Sequence, residues 1–342
     1  MRSLITGACG FVGSYLASEL ASAGHEVIAT DVNEFPADEG ADRRRSGAEA
    51  PWRPAFGREI AYRRCDILDA DAVKALIADT RPDNVFHLAA QSSAARSLEE
   101  PRLTLETNVF GTLNVLEGVR RLAPVCPGAE TRSGKIRILS VGSCEEYGRR
   151  SPGEMPLGEK SPVEPASPYA VSKAAQTMLA MQYARSFGLD VVATRSFSHT
   201  GPAQSERFVL PSFARQCAEI KAGKRPPVVK VGNIGVVRDF LDVRDVVRAY
   251  RMMADEVDGT GVYNVCSGRG LKLADALDIL VRFSGASARI EQDSALARPA
   301  DIEVLVGDNA KLRRACGWEP RHSTETMLQA LFEYWERLVR ER

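Results

Sequence analysis

Tyr169 and Lys173 stand four apart in Ser167-Pro168-Tyr169-Ala170-Val171-Ser172-Lys173, a stretch that opens a helical pattern running through Met178, Met181 and Tyr183. Residues at that spacing share a helix face, so a phenol and an ammonium can converge on one bound molecule. A phenol titrates near ~10 in water and is a poor acid or base at neutral pH, but a fixed cation beside it favours the ionised form. Tyr169 is therefore a candidate for proton transfer. The same spacing also arises on an ordinary solvated helix, and the surrounding chain has to distinguish the two.

The elements that would position such a pair begin at the first residues. Ser3 to Thr6 reads as a short buried strand and runs into Gly7-Ala8-Cys9-Gly10-Phe11-Val12-Gly13, after which Ser14 to Ala23 has helical spacing. Strand, glycine-rich turn and helix form the phosphate-binding start of a βαβ unit. Glycines allow a close approach to a pyrophosphate, and the helix amino end supplies free N–H groups and a favourable dipole.

A second strand, His25 to Asp31, ends in an acid about 20 residues beyond the glycines, where a ribose-binding carboxylate is expected. Asp31 would accept from the adenosine ribose and repel a 2′-phosphate, which favours NAD(H). Arg43 to Arg45 could reach a 2′-phosphate, so NADP(H) stays open, as does a purely structural Asp at a strand end. Residues 34–58 read as a long surface loop. Ala61 to Cys65, followed by Asp66-Ile67, is a third strand with an acid placed to meet adenine.

Asp69 to Asp79 reads as a helix, and Asp83 to Gln91 as a buried parallel strand. It ends in Leu88-Ala89-Ala90, small enough for a dinucleotide to lie against the backbone. His87 within it reads as a satisfied core histidine. Pro101 to Leu122 is a long helix that carries Asn108. Lys135 to Val141 is the next strand, with Gly142-Ser143-Cys144-Glu145-Glu146 at its carboxyl end, where open parallel sheets bind ligands. Ser143 is the third candidate beside Tyr169 and Lys173.

Asp190 to Ser196 is a further strand, and beyond Pro202 the strict alternation lapses. Helices are expected near Phe208 to Ala222, Val243 to Asp255, Leu273 to Phe283 and Thr324 to Val339, with strands at Val228 to Gly232 and Val262 to Cys266. The pattern implies an α/β chain: a Rossmann-type doubly wound parallel sheet over residues 1–196, with segments near 238–266 returning to it. Residues 197–342 would form a smaller α/β cap.

Composition narrows the partners. Lysine plus arginine equals aspartate plus glutamate at 45 each, so no global field draws the chain to nucleic acid or an anionic membrane. Seven scattered cysteines without a C-x-x-C pair, and four unclustered histidines, read as reduced thiols in a cytoplasmic chain with no metal site. No apolar run is long enough to span a bilayer.

Taken together and in this order, Gly7/Gly10/Gly13, Asp31, Asp66, the strand ending His87-Leu88-Ala89-Ala90-Gln91, Ser143 and Tyr169/Lys173 resemble the extended short-chain dehydrogenase/reductase family over essentially the whole chain. That resemblance implies NAD(P) on the sheet and a nucleotide sugar beneath the cap. Within the family, five stretches look most like reductases of GDP-linked 4-keto-6-deoxy sugars: His87 to Ser93, Ser167 to Gln176, Phe197 to Phe213, Arg238 to Tyr250 and Tyr263 to Gly270.

The implied roles follow residue by residue. Tyr169 is the acid, Lys173 binds the nicotinamide ribose, and Ser143 bonds the carbonyl. Gln91, Ser198, His199, Arg238 and Arg298 face the sugar nucleotide, the two arginines toward its diphosphate. Glu145 stands where dehydratases of the family carry a base, so a 4,6-dehydratase remains the rival, with a 4-epimerase third. Ser198 replaces a common Asn, Ser196 a common Pro, and Cys144 an acid found in some dehydratases. The resemblance also implies a homodimer paired through Pro101 to Leu122 and Tyr169 to Ser186.

Overall fold

The computed structural model describes residues 1–33, 60–122, 135–285, 287–296 and 302–341. The loop expected over 34–58, with Arg43 to Arg45, lies outside the described residues. The elements are β1 (Arg2–Thr6), α1 (Phe11–Ser22), β2 (Glu26–Asp31), β3 (Ile60–Arg64), α2 (Ala70–Thr80), β4 (Asn84–His87), α3 (Ala94–Glu99), α4 (Pro101–Leu105) and α5 (Gly111–Leu122). They continue with β5 (Arg137–Ser143), α6 (Pro168–Phe187), β6 (Asp190–Ser196), β7 (Ser198–Thr200), α7 (Val209–Lys221), β8 (Val228–Val231), β9 (Val237–Asp242), α8 (Val243–Glu256) and β10 (Gly261–Val265). The remainder is β11 (Gly270–Lys272), α9 (Leu273–Ser284), β12 (Arg289–Gln292), β13 (Val304–Leu305), α10 (Ala310–Cys316) and α11 (Thr324–Glu341).

Seven strands form one sheet in the order β10-β6-β5-β4-β1-β2-β3, parallel throughout. This is the doubly wound arrangement, and its order reverses between β1 and β4. One face is covered by α1 and α8, with Leu16, Leu20, Val246, Tyr250 and Met253 buried against Ile5, Ala29 and Phe86. Leu312 and Trp318, from the far end of the chain, join that core. The other face is covered by α2, α5 and α6 through Val73, Ile77, Leu116, Val119, Ala180 and Tyr183.

A separate apolar cluster joins α7, α9, α11 and β8 through Leu210, Phe213, Leu277, Leu280, Leu328, Trp335 and Val231. Above it lie a small sheet of β11-β9-β13 with β7 on β9, and the parallel pair β12-β8. Among the described residues, no helix is long and apolar enough to cross a membrane.

The structure corrects several boundaries. β4 stops at His87, because Leu88 N–H and Ala89 N–H turn to bond the Thr6 carbonyl and hydroxyl. The helix expected over Pro101 to Leu122 is broken by a π turn, Glu106–Phe110, and α3 precedes it. β5 continues to Ser143, which makes that serine the last strand residue. β7 and β9 arise where a loop and a bare motif were expected, since each is completed by pairing with the other across some forty residues.

Candidate active site

The turn after β1 is shaped by two close approaches. Gly7 has φ +71°, and a Cβ there would lie 2.7 Å from the Ala89 backbone nitrogen; a Cβ on Gly13 would lie 2.3 Å from the Gly7 carbonyl oxygen. Only glycines let the β1 turn, the start of α1 and the segment after β4 meet this closely. Gly10 N–H bonds the Gly7 carbonyl at 3.1 Å and leads into α1, whose first-turn N–H groups have no intrahelical acceptor. This cradle fits the pyrophosphate of a dinucleotide. The backbone of Leu88 and Ala89 closes against Gly7 on its other side, with Ala90 following, while Phe11 and Val12 open α1.

Asp31 closes β2 with a carboxylate already engaged. Oδ2 accepts from Cys9 N–H at 3.0 Å, and Oδ1 from the Asn33 backbone N–H at 3.0 Å and Nδ2 at 2.8 Å. It therefore braces the glycine turn while standing at the expected ribose position, with Arg64 opposite it in the β2–β3 register. Asp66 Oδ1 accepts from Leu68 N–H at 2.9 Å. Asn114 Nδ2 holds the Ile67 carbonyl at 2.9 Å, which fixes the Asp66-Ile67 turn.

α6 begins immediately before Tyr169 for local reasons. Ser167 Oγ accepts from Ala170 N–H at 3.1 Å and Pro168 occupies the first turn, a serine cap with proline where no N–H is needed. Gly188 in the left-handed conformation ends the helix. At the end of β5 a reciprocal cap forms: Ser143 Oγ accepts from Glu145 N–H at 3.2 Å, and Glu146 Oε1 accepts from Ser143 N–H at 3.0 Å.

Ser143 and Tyr169 are brought together. Burial, with the Glu145 charge behind it, pushes the Tyr169 phenol well above its usual range, while a hydrogen bond with Ser143 works the other way. The phenol thus keeps its proton at neutral pH, which suits an acid. Lys173 differs from expectation. Its ammonium is turned to the Val141 carbonyl at 2.8 Å and Gln176 Oε1 at 3.0 Å, and burial brings it down to about 8, with Glu146 opposing that fall. It is not what sets the phenol.

On the expected substrate side the picture is mixed. The Gln91 carboxamide is taken up internally, donating to the Ser93 carbonyl and Thr104 Oγ1, each at 2.9 Å. His199 donates from Nδ1 to the Phe197 carbonyl at 3.0 Å, stacks on Phe11 at 6.3 Å between ring centres, and is held below the usual histidine range by burial. It links the glycine turn to β7, which also carries Ser198. Arg238 lies on β9 and bonds the Val237 carbonyl. Arg298 lies outside the described residues.

Three polar residues around the site had no assigned role in the sequence reading. Asn108, in the π turn, reaches Gln91 and Ser172; Gln176 touches Lys173; and buried Glu146 pairs with Arg195. The only sequence signal was a polar residue at a helix position facing the sheet.

The whole chain is similar to known proteins. The family model described as GDP-mannose 4,6 dehydratase matches residues 4–331. GDP-6-deoxy-D-mannose reductase of Pseudomonas aeruginosa is 33% identical over 340 residues, covering 99% of each chain. The solved structure of RMD from Pseudomonas aeruginosa, a complex with NADPH, aligns with a TM-score of 0.79 and 31% identity over 98% of this chain and 99% of that one. The UDP-glucose 4-epimerase of Thermotoga maritima with UDP-glucose gives a TM-score of 0.81 and 26% identity over 99% and 100%. With the glycine cradle and the Ser143–Tyr169 pair in place, these matches make the chain a member of the GDP-mannose 4,6 dehydratase family, within the extended short-chain dehydrogenases/reductases.

Proposed function

We propose that the protein reduces the 4-keto group of a nucleotide-linked 6-deoxy sugar, GDP-4-dehydro-6-deoxy-D-mannose, to GDP-D-rhamnose. The observation that carries this reading is Ser143, which caps the turn at the carboxyl end of β5, beside the half-buried Tyr169 phenol that desolvation keeps protonated. Full-length identity to a GDP-6-deoxy-D-mannose reductase supports the choice of substrate. A nicotinamide dinucleotide held by the Gly7 to Gly13 cradle, Asp31, Asp66 and Lys173 supplies hydride when bound.

The chain's own work is then acid catalysis and positioning. Tyr169 gives its phenolic proton to the C4 oxygen as that oxygen gains charge. The Ser143 hydroxyl, whose oxygen is held by Glu145 N–H, turns its proton from the phenol to the C4 oxygen when the sugar is bound. Arg238 and Arg298 meet the diphosphate, and Ser198 and His199 meet the sugar side. In this reading residues 1–196, with 238–266 returning, bind the dinucleotide, and the remainder caps the substrate in a cytoplasmic homodimer.

NADH is the expected donor on account of Asp31, although the similar Pseudomonas structure holds NADPH; kcat/KM with each decides the point. Mixing protein, reduced cofactor and the keto sugar should consume one cofactor per sugar and yield GDP-D-rhamnose. A thermal-shift panel of GDP, UDP, dTDP and CDP tests the base, since a ligand that binds only the native state raises Tm.

A second reading, a GDP-mannose 4,6-dehydratase, is favoured by Glu145, whose charge reaches Tyr169. It recycles its hydride, so GDP-mannose with oxidised cofactor would give a keto sugar without net change in cofactor absorbance. Glu145→Gln leaves substantial activity in a reductase and abolishes a lyase that needs Glu145 as base. Conversion of GDP-mannose, lost in that variant, would replace the first reading by the second.

A further inference from the structure

Gln176 lies one turn beyond Lys173 on α6 and is buried against β5. Its Nε2 donates to Ser140 Oγ at 2.9 Å and to the Val141 carbonyl at 3.3 Å, and its Oε1 accepts from Lys173 Nζ at 3.0 Å. The orientation of this amide is dictated by its neighbours. A carbonyl only accepts and an ammonium only donates, so turning the amide over would set oxygen against oxygen and two donors against each other.

Lys173 has three N–H donors. Val141 and Gln176 take two of them, and the third remains for a ligand. We propose that Gln176 is a positioning residue, the neutral half of a clamp with the Val141 carbonyl that keeps the Lys173 ammonium charged and aims its remaining N–H at the bound dinucleotide. This rests on the reading of Lys173 as a cofactor-binding residue.

The charges facing Lys173 show why an uncharged side chain matters here. Glu146, from the turn after β5, favours the ammonium, but its charge is shared with Arg195 of β6 at 3.0 Å. His87, at the end of β4, is buried and held neutral. Tyr169, on the same helix, keeps its proton. Burial therefore works to strip the proton from Lys173, and the amide oxygen of Gln176 is a direct acceptor opposing it. Without that acceptor the ammonium is lost at lower pH; with a carboxylate in its place it persists to higher pH.

The test is the pH dependence of NADH and NADPH binding, followed by nicotinamide fluorescence, beside the pH profile of sugar reduction, for wild type, Gln176→Leu and Gln176→Glu. The alkaline limb of both curves should move down by about one pH unit in Gln176→Leu and up by about one in Gln176→Glu, while cofactor affinity below neutral pH changes less than about twofold. Limbs that coincide in folded variants overturn the proposal. If Gln176→Leu does not fold, Gln176→Glu, which keeps the side-chain size, carries the test alone. Binding limbs that move in a protein unable to reduce the keto sugar would uphold the clamp and discard the reductase. Reduction with unmoved limbs would do the reverse.

Discussion

Asn108 Nδ2 donates to Ser172 Oγ at 2.8 Å, a bond that ties the π turn between α4 and α5 to the helix carrying Tyr169 and Lys173. The same carboxamide accepts from Gln91 N–H at 2.8 Å and donates to the Gln91 carbonyl at 3.0 Å. Three segments thus meet on one fully buried side chain. The widened turn is what lets Asn108 face inward while α4 and α5 continue on either side. Asn108→Ala leaves the Gln91 N–H and carbonyl without this partner and Ser172 Oγ with only its bond to the Tyr169 carbonyl, and we expect a loss of about 2–4 kcal/mol in urea unfolding.

Tyr169→Phe removes the acid and leaves the dinucleotide cradle untouched. Turnover should fall ~10²-fold or more while the Kd for NAD(P)H stays within about twofold of wild type. Lys173→Met should impair both. A Tyr169→Phe enzyme that keeps a tenth of its kcat has its acid elsewhere.

Glu146 and Arg195 form a buried ion pair, and burial pushes the glutamate up while the guanidinium holds it down. Arg195 also donates to the Glu159 carbonyl at 3.0 Å and lies 4.7 Å over the Tyr147 ring. Glu146→Gln leaves a buried cation unmatched and should cost about 3–5 kcal/mol, whereas Glu146→Leu with Arg195→Met should cost less than either single change. Denaturant midpoints for the four proteins measure the coupling.

His87 provides a pH signature. Thr112 gives its hydroxyl proton to the Asn108 carbonyl at 2.6 Å, so toward His87 it accepts from Nε2–H at 2.9 Å, and Nδ1 accepts from Thr6 at 2.8 Å. The neutral ring is fully satisfied. Burial, with Lys173 nearby, brings it down to about 3. The unfolded chain therefore binds more protons between about 6.5 and about 3, and stability falls as pH falls through that window. In His87→Gln this part of the slope is gone, so its stability deficit against wild type at neutral pH should narrow toward pH ~5.

Phe110, at the end of the π turn, and Val171 and Met178, on the side of α6 away from the sheet, expose apolar surface, as do Leu98 and Leu103 on α3 and α4. In the homodimer proposed above, this surface would face the second copy. Wild type should sediment as a dimer at micromolar concentration. Met178→Glu should shift it toward monomer with little change in the Tm of the monomer.

The main sheet was legible because β1, β2, β4, β5 and β6 are largely buried runs, and several of the strands lead into helices, a pattern that buried parallel strands impose. Ser167, Pro168 and Gly188 wrote the ends of α6 into the sequence, and Ser143 needed only to be near the end of β5. His87 read correctly as a core residue. The second layer was harder. β13 has two residues and β7 three, too few for a period, and both are defined by pairing with β9. The resemblance placed Gln91 toward the substrate, and no sequence pattern announces that its amide bonds Ser93 and Thr104, contacts that depend on the start of α3 and on α4. Gln176 and Glu146 carry no motif, because what matters about them is which carbonyl and which cation they face.

β10 completes the main sheet only after the chain has left β6 and built β7, α7, β8, β9 and α8. Until that strand is made, the outer side of β6 is an open edge of unpaired backbone on a strand buried along its whole length. The closing strand must therefore be brought back across a large intervening loop, a slow step by contact order. During synthesis the nascent sheet waits, one strand short, until Gly261–Val265 has emerged. A fragment cut after Ser196 keeps the glycine cradle and Tyr169 but presents that bare edge to its neighbours, so it should aggregate where the whole chain folds.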